Sequence, residues 1–377
     1  MRHHTILLAT AAAALLALMA CGAPGDGPSG SVTSVVIDQP DPTLAFGEAI
    51  TLSATIEATG TVERTVRWSS DDENVASVDE DGVVTTTGVG VTTVRATSTA
   101  DGSVRASIEI TVLESILDPS RAFTVAITPP LEATDVEADV ATLAAGLAAE
   151  LGRPVVVTTY PSFAGSVQAV LDRTAEVAVL GPTAVVQAID EGDASAVLTA
   201  VRGGDIAYRG EFYARCGSTF TSLAALTGAR FAFVDSGSMA GYRVPYVDLV
   251  DMGIDPDADM ISDFAGSHDA VIRSIYDDDV DAGVTFEGAV STIAGDYPDV
   301  EDVVCSIGFT TDIPNEGVVV RGGVAPSERD RVTAAWTAML DAPETNDAVF
   351  NLLRTRSFEP APEGSYDIIR KVIETFF

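Results

Sequence analysis

The chain has 377 residues, with 56 acidic side chains against 21 basic ones and a formal net charge of −35. So acidic a surface excludes nucleic acid as a natural partner. The carboxylates are spread along the whole sequence, which describes a solvated exterior suited to salty surroundings, where ions screen self-repulsion at short range. Any anionic ligand must then be held by local dipoles against the field of the whole molecule.

From the amino terminus, MRHHTILLATAAAALLALMAC opens with a short basic stretch and an apolar run from Ile6 to Met19. The run is short for a bilayer span and reads as an export signal over residues 1–20. Leu18-Met19-Ala20-Cys21 resembles the lipobox of bacterial lipoproteins. That resemblance implies cleavage before Cys21, acylation of the cysteine and anchoring in the lipid bilayer. An ordinary secretory signal with an incidental cysteine is the alternative. Since no later segment is long and apolar enough to cross a membrane, the mature protein is expected outside the cytoplasm, on the periplasmic side or the outer cell surface. Residues 21–31, mostly Gly, Pro, Ser and Ala, read as a flexible tether.

Residues 32–114 have an all-β texture, with alternating runs such as TVRWSS, GVVTTTG and TTVRATS split by Asp-Gly turns at 81–82 and 101–102. Trp68 is the expected core aromatic of a small sandwich. The runs Trp68-Ser69-Ser70, Val75 to Asp79, Asp81 to Val84 and Val91 to Ser98 resemble the group 2 bacterial immunoglobulin-like domain. A spacer is the role this implies, with surface adhesion as the alternative.

From 120 to 377 strands alternate with helices. AFTVAIT predicts a strand, and Val136, Val140, Leu143, Leu147 and Leu151 predict one apolar stripe of a helix over 135–151. Strand PVVVTTY, a helix over 162–173, strand AEVAVLG, a helix from Pro182 and strand SAVLTAVR follow. A second set comprises GEFYARC, RFAFVDS, a helix from Ser238, DMISDF, a helix from His268 and AGVTF, and helices over 327–340, 343–355 and 364–377 close the chain. The expected architecture is two α/β lobes, the first from 120–208 and 317–377 and the second from 209–316, crossed twice by the chain. Two crossings make a hinge with a cleft. In an oxidising compartment Cys216 and Cys305, both in predicted strands, are expected to form a disulfide, two separately buried thiols being the alternative.

Ligands of open α/β sheets sit beyond the carboxyl ends of the strands, where helices begin. Three such turns share a chemistry: Gly181-Pro182-Thr183, Ser236-Gly237-Ser238, and Ser267-His268 with Ser267 as an N-cap. Helix starts carry unpaired N–H groups and partial positive charge, so they hold oxyanions without lysine. His268 is the one histidine beyond the export segment. It is read either as a ligand contact or as a capping or core residue.

The blocks YPSFAGSVQAVLDRTAEVAVLGP, AYRGEFYARCGSTFTSLAAL, DSGSMAGYRVP, AGSHDAVIRSIYDDDVDAG and DIPNEGVVVR, in this order, resemble the phosphonate, phosphite and phosphate-binding proteins of ABC importers, a type II periplasmic-binding fold. The resemblance implies ligand roles for His268, for Tyr208 at the hinge, for Ser238 at a helix start, and for carboxylates at Glu316 and Glu287. Met239 and Ala240 replace two hydroxyl residues of the family's triplet and Phe163 replaces a tyrosine, which points to a ligand with an apolar part. Packing at the hinge is the alternative for Tyr208, and membership of the acidic surface the alternative for the two glutamates; Arg209 and Arg243 read as solvated. The chain is thus expected to be a monomeric, lipid-anchored solute-binding protein, not an enzyme, with no cofactor or metal. Its expected partners are a small anionic ligand, an ABC permease and its ATPase. A sulfonate or other small anion is the alternative ligand, and a surface sensor or adhesion protein the alternative role.

Overall fold

The structure is a computed structural model that describes residues 30–130 and 133–377. The export segment, Cys21 and nearly all of the tether lie outside the described residues. The first part is all β: β1 (Ser31–Ile37), β2 (Thr43–Ala45), β3 (Ala49–Thr51), β4 (Ala54–Thr59), β5 (Val66–Ser70), β6 (Ala76–Val78), β7 (Val83–Thr86), β8 (Gly90–Ser98) and β9 (Arg105–Leu113). They form three small sheets, β1-β4, β2-β9-β8-β5 and β3-β7-β6. In β8 every second residue from Thr92 to Ser98 is buried, the period of two expected of a strand with one face in a core. Trp68 is only half-buried; it lies between two apolar clusters, one around Val94 and Ile110 and one around Val35 and Ala96, and joins them.

The first α/β lobe starts with β10 (Phe123–Ile127), α1 (Val136–Leu151), β11 (Val155–Thr159), α2 (Phe163–Leu171), β12 (Val177–Leu180), α3 (Pro182–Gly192) and β13 (Ser195–Ala200). The chain crosses through β14 (Ala207–Tyr208) into a second lobe. There it forms β15 (Gly210–Arg215), β16 (Arg230–Phe233), α4 (Val244–Asp251), β17 (Ile261–Phe264), α5 (His268–Tyr276), β18 (Ala282–Phe286), α6 (Val300–Val303) and β19 (Val304–Phe309). It returns through β20 (Ile313–Pro314) to β21 (Gly317–Val320), α7 (Pro326–Ala338), α8 (Pro343–Leu353), β22 (Phe358–Pro360) and α9 (Asp367–Phe376).

The sheets run β11-β10-β12-β21-β13-β22 and β17-β16-β18-β15-β19. In each, the strand that arrives from the other lobe inserts antiparallel beside strands that run parallel to one another. Central β12 and β21 are buried at every position, because helices cover both faces of the sheet. The crossings β14 and β20 pair antiparallel, Tyr208 opposite Ile313, at the place expected for the hinge. Gly210 follows directly: a Cβ there would lie 2.4 Å from the Ala240 carbonyl oxygen, so only glycine lets that backbone approach.

One helix departs from expectation. The segment after Ser238 begins as a π-helical turn, Met239–Arg243, before α4. Pro245 has no amide to give to the Gly241 carbonyl, which accepts from the Val234 amide instead (3.0 Å). Cys216 and Cys305 are joined in a disulfide that ties the end of β15 to β19. α9 reaches both lobes: Arg370 makes two hydrogen bonds to Asp190 of α3, Lys371 pairs with Asp251 of α4, and Phe376 packs against Tyr242 and Tyr246.

The β module is docked on the first lobe. Buried Glu328, in the first turn of α7, accepts from the amides of Ile116 (2.9 Å) and Leu117 (3.3 Å) and from the Ser115 hydroxyl. The Ser327 hydroxyl donates to Glu48 of the module (2.6 Å), and Arg153 donates to the carbonyls of Ile116 and Asp118. Glu328→Ala strands these donors and is expected to cost about 1–3 kcal/mol. Urea unfolding measures the loss, and limited proteolysis between 114 and 121 should quicken; unchanged cleavage would show the joint to be loose already.

Candidate functional site

The carboxyl ends of β10, β11, β12 and β13 face one edge of the first lobe, and each runs into a short turn. Thr128-Pro129-Pro130 follow β10, Tyr160-Pro161-Ser162 lead into α2, Gly181 caps α3, and Val201-Arg202 follow β13. Neither Ser162 nor Gly181 makes a side-chain cap bond. Phe163, the first residue of α2, lies against Gly181; a Cβ on that glycine would sit 2.9 Å from the ring.

Tyr208, Glu316, Arg202, Pro182, Pro314 and Asn315 enclose a pocket of about 240 Å³ at the hinge. Removal from water, and then the nearby Glu316 carboxylate, raise the Tyr208 phenol above its ordinary pKa. Glu316 is not a free carboxylate, since its Oε2 accepts from Arg202 Nε (3.0 Å) and Nη2 (2.8 Å). Arg202 also donates to the carbonyls of Leu353 (2.9 Å) and Arg354 (2.5 Å). Beyond this ion pair lies a second cavity of about 360 Å³, shared with Phe163 and walled by proline and leucine.

On the second lobe, His268 opens α5, half-buried. Its Nδ1 lies 2.6 Å from Oγ1 of the buried Thr285, and its ring packs edge-on against Phe286 at 4.9 Å. Thr285 stands opposite Glu211 across β18 and β15. Glu211 is buried; it accepts from the Gly288 amide (2.8 Å) and from the Tyr213 hydroxyl. Burial, and then the bond to Glu211, raise the Tyr213 phenol. Ser267 caps α5 by accepting from the Ala270 amide (3.2 Å), and Ser238 accepts from the Gly241 amide (3.0 Å).

The structure therefore groups the sequence candidates unevenly. Tyr208 and Glu316 share the hinge pocket, whereas Phe163 lines the second cavity and the depression that holds Thr183. His268, Ser267, Ser238 and Met239 lie on the second lobe. Of the amides at 239 to 241, that of Gly241 is already used by Ser238. The Ala240 side chain is buried, and Met239 and Phe286 pack partly, in an apolar cluster with Val185, Ile369 and Val372, so these positions are apolar because the lobes touch there. Thr183 lines a separate, exposed depression of about 460 Å³ with Gln187, Arg243 and Phe377. One residue along a helix turns the side chain by about 100°, which carries Thr183 away from the face of Pro182. Glu287 is taken by Arg209 in two bonds of 2.9 and 2.8 Å on the surface, and Arg209 stacks on Phe309 at 4.2 Å, so neither is freely solvated. Arg243 likewise donates to the Ser236 carbonyl and lies over Phe377.

Arg202, Thr285 and Glu211 had no sequence signal of their own. Arg202 sits in a Gly-Gly-Asp turn that reads as a loop, and the other two look like ordinary strand residues until the register sets them beside His268.

A family model described as ABC transporter, phosphonate, periplasmic substrate-binding protein matches residues 125–366, and one described as bacterial Ig-like domain (group 2) matches residues 31–109. Among curated proteins, the phosphate-import protein PhnD of Mycolicibacterium smegmatis is 29% identical over 189 residues, covering 47% of this chain and 59% of that one. A 3-O-alpha-D-galactosyl-alpha-L-arabinofuranosidase of Bifidobacterium longum subsp. longum is 45% identical over 71 residues, 19% of this chain and 6% of the enzyme. The chain thus spans less than two thirds of either relative. Among solved structures, a Xanthomonas citri protein bound to ATP has a TM-score of 0.49 at 16% identity, covering 68% of this chain and 99% of that one. PhnD1 of Prochlorococcus marinus in complex with methylphosphonate has a TM-score of 0.41 at 17% identity, covering 68% and 98%.

Replacing Arg202 by Met would leave the Glu316 carboxylate and two main-chain carbonyls short of donors. The expected loss is about 1–3 kcal/mol in urea unfolding; a variant as stable as the parent would show that the pair does not brace the hinge.

Proposed function

Because the chain belongs to the periplasmic substrate-binding proteins of phosphonate ABC transporters, we propose that it captures a small oxyanion of the phosphonate, phosphite or phosphate class between its two lobes. The first lobe is taken as 120–208 and 317–377 and the second as 209–316. The filled protein passes its ligand to a membrane permease driven by a separate ATPase. It works as a monomer, anchored through acylated Cys21, with the immunoglobulin-like module as the stalk.

The observation that supports this reading best is the pinned imidazole. Thr285 occupies His268 Nδ1 at 2.6 Å and so leaves Nε2 for a ligand. When the Thr285 hydroxyl donates to Nδ1, the ring carries its proton on Nε2 and can give it to a phosphonate oxygen. The amides of Met239 and Ala240 and the Ser238 hydroxyl add donors on the segment whose Ala240 carbonyl meets the hinge at Gly210. Bending at β14 and β20 brings these groups toward Tyr208 and the start of α3. Glu287 and Thr183 receive no ligand role, the first being ion-paired on the surface and the second lying in another depression. The relative named for phosphate import agrees with this ligand class.

A thermal-shift panel on the lipid-free protein at high salt tests the reading, with phosphate, phosphite, methylphosphonate, 2-aminoethylphosphonate, sulfate and taurine. At least one phosphorus compound should stabilise the fold. His268→Ala should then weaken binding by about 1.5–3 kcal/mol, the worth of one hydrogen bond to a charged group. Stabilisation by taurine alone would replace the proposed class with sulfonates, and an unmoved His268→Ala would return the histidine to a structural part.

A further inference from the structure

The last helix is rooted in one lobe and fastened to the other. Tyr366, just before α9, is buried and donates to the Asn315 carbonyl (3.0 Å). Ile368, Ile369 and Val372 of α9 are buried in one apolar cluster with Val185 and Ala188 of α3. Arg370 closes on Asp190 of α3 through hydrogen bonds of 3.1 and 2.7 Å. By these contacts α9 belongs to the first lobe.

Its final turns reach the second lobe. Lys371, the only lysine of the chain, is turned about 100° round the helix from Arg370 and pairs with Asp251 at the end of α4. Phe376 lies 5.3 Å from the rings of both Tyr242 and Tyr246. Those rings are fixed in the second lobe: Tyr242 packs on Phe233 and Phe264 at 5.0 and 4.9 Å, and the Tyr246 hydroxyl donates to Asp257 (2.8 Å). Any change of angle between the lobes must break or slide the contacts of Lys371 and Phe376.

The angle they hold is one at which the first lobe and the crossings wall the hinge pocket. Pro182, Arg202, Tyr208, Pro314, Asn315 and Glu316 line it, and among the described residues none of α4, α5 or the turns before them does. Resting on the reading above, in which bending brings His268 and Ser238 toward Tyr208, we propose that Lys371 and Phe376 are a strap that holds the ligand-free protein open. Capture releases the strap. The ligand's contacts with the second lobe are therefore partly offset by the loss of the strap, and affinity is lower than the closed site alone would give.

Two readouts test this on the lipid-free chain carrying Cys21→Ser. Spin labels on Glu150→Cys of α1 and Glu301→Cys of α6, both exposed positions, report the distance between lobes by pulsed electron resonance, since Cys216 and Cys305 are held in their disulfide. Calorimetry gives Kd for phosphate, phosphite and methylphosphonate. In Phe376→Ala, and less strongly in Lys371→Met, part of the ligand-free population should already stand at the ligand-bound distance. Kd should fall by about threefold to tenfold, the worth of one aromatic contact expressed as a shift in population. Damage to packing alone would not tighten binding. If the parent binds, an unchanged ligand-free distribution or a Kd that is equal or higher overturns the strap and leaves the oxyanion reading intact. If the parent binds none of the three anions, that reading falls and the ligand-free distribution decides: a second distance in Phe376→Ala supports the strap, and a single one overturns it. Should Phe376→Ala not fold, Phe376→Leu removes the ring contacts and keeps the apolar bulk.

Discussion

The chain passes between the two lobes through a pair of two-residue strands, beside the contacts that α9 and the apolar cluster around Ala240 also make across them, and that narrow crossing sets where the hinge-pocket residues stand. β14 and β20 alone would be weak. They are braced by Asn315, buried, whose side-chain amide donates to the carbonyls of Ala200 and Asp205 at 3.0 Å each. The Tyr366 hydroxyl donates in turn to the Asn315 carbonyl (3.0 Å), and burial pushes that phenol up to about 12. A buried polar network of this kind has value only when every member is satisfied, because an unmet group in low dielectric costs its full desolvation. The network fixes where the chain leaves and re-enters the first lobe. It therefore fixes where Tyr208 and Glu316 stand relative to the strand ends.

Electrostatics supply the second constraint. A molecule with a formal charge of −35 repels the kind of ligand its family carries. Its arginines near the cleft are committed to carboxylates or carbonyls, Arg202 to Glu316 and Arg209 to Glu287. On the proposed reading, attraction comes from short-range donors: helix-start amides, a histidine held by a buried threonine, and hydroxyls. Such donors act over a few ångströms, within the screening length of salty water. High salt would damp the long-range repulsion and leave these contacts in force.

Much of this was legible in the residues. The change from period-two alternation to alternating strands and helices marked the passage from the β module to the α/β part, and the apolar run around Val177–Leu180 marked a strand; that Gly317–Val320 is a strand beside it was not read. The Cys216–Cys305 pairing followed from compartment and strand placement. What stayed hidden depends on register and long-range partners. No local pattern shows that Arg202 would reach Glu316, 114 positions away. Ala240 looked like a lost hydroxyl, and only the contact between lobes shows an apolar neighbour there. Pro245 did carry a signal, since it lies past the first turn of a helix begun at Ser238, where a proline removes a ladder hydrogen bond; the Gly241 carbonyl accepts from the Val234 amide there.

The clamp formed by Glu328, Glu48 and Arg153 bears on how the molecule moves. With the module as the stalk proposed above, the jaw it is bolted to would be the stationary one. On the hinge-bending proposal, motion at β14 and β20 would swing residues 209 to 316, and the travelling jaw would be the one bearing the imidazole. On the import proposal, the permease would meet a fixed face of the first jaw in every state and would read occupancy from the displacement of the second.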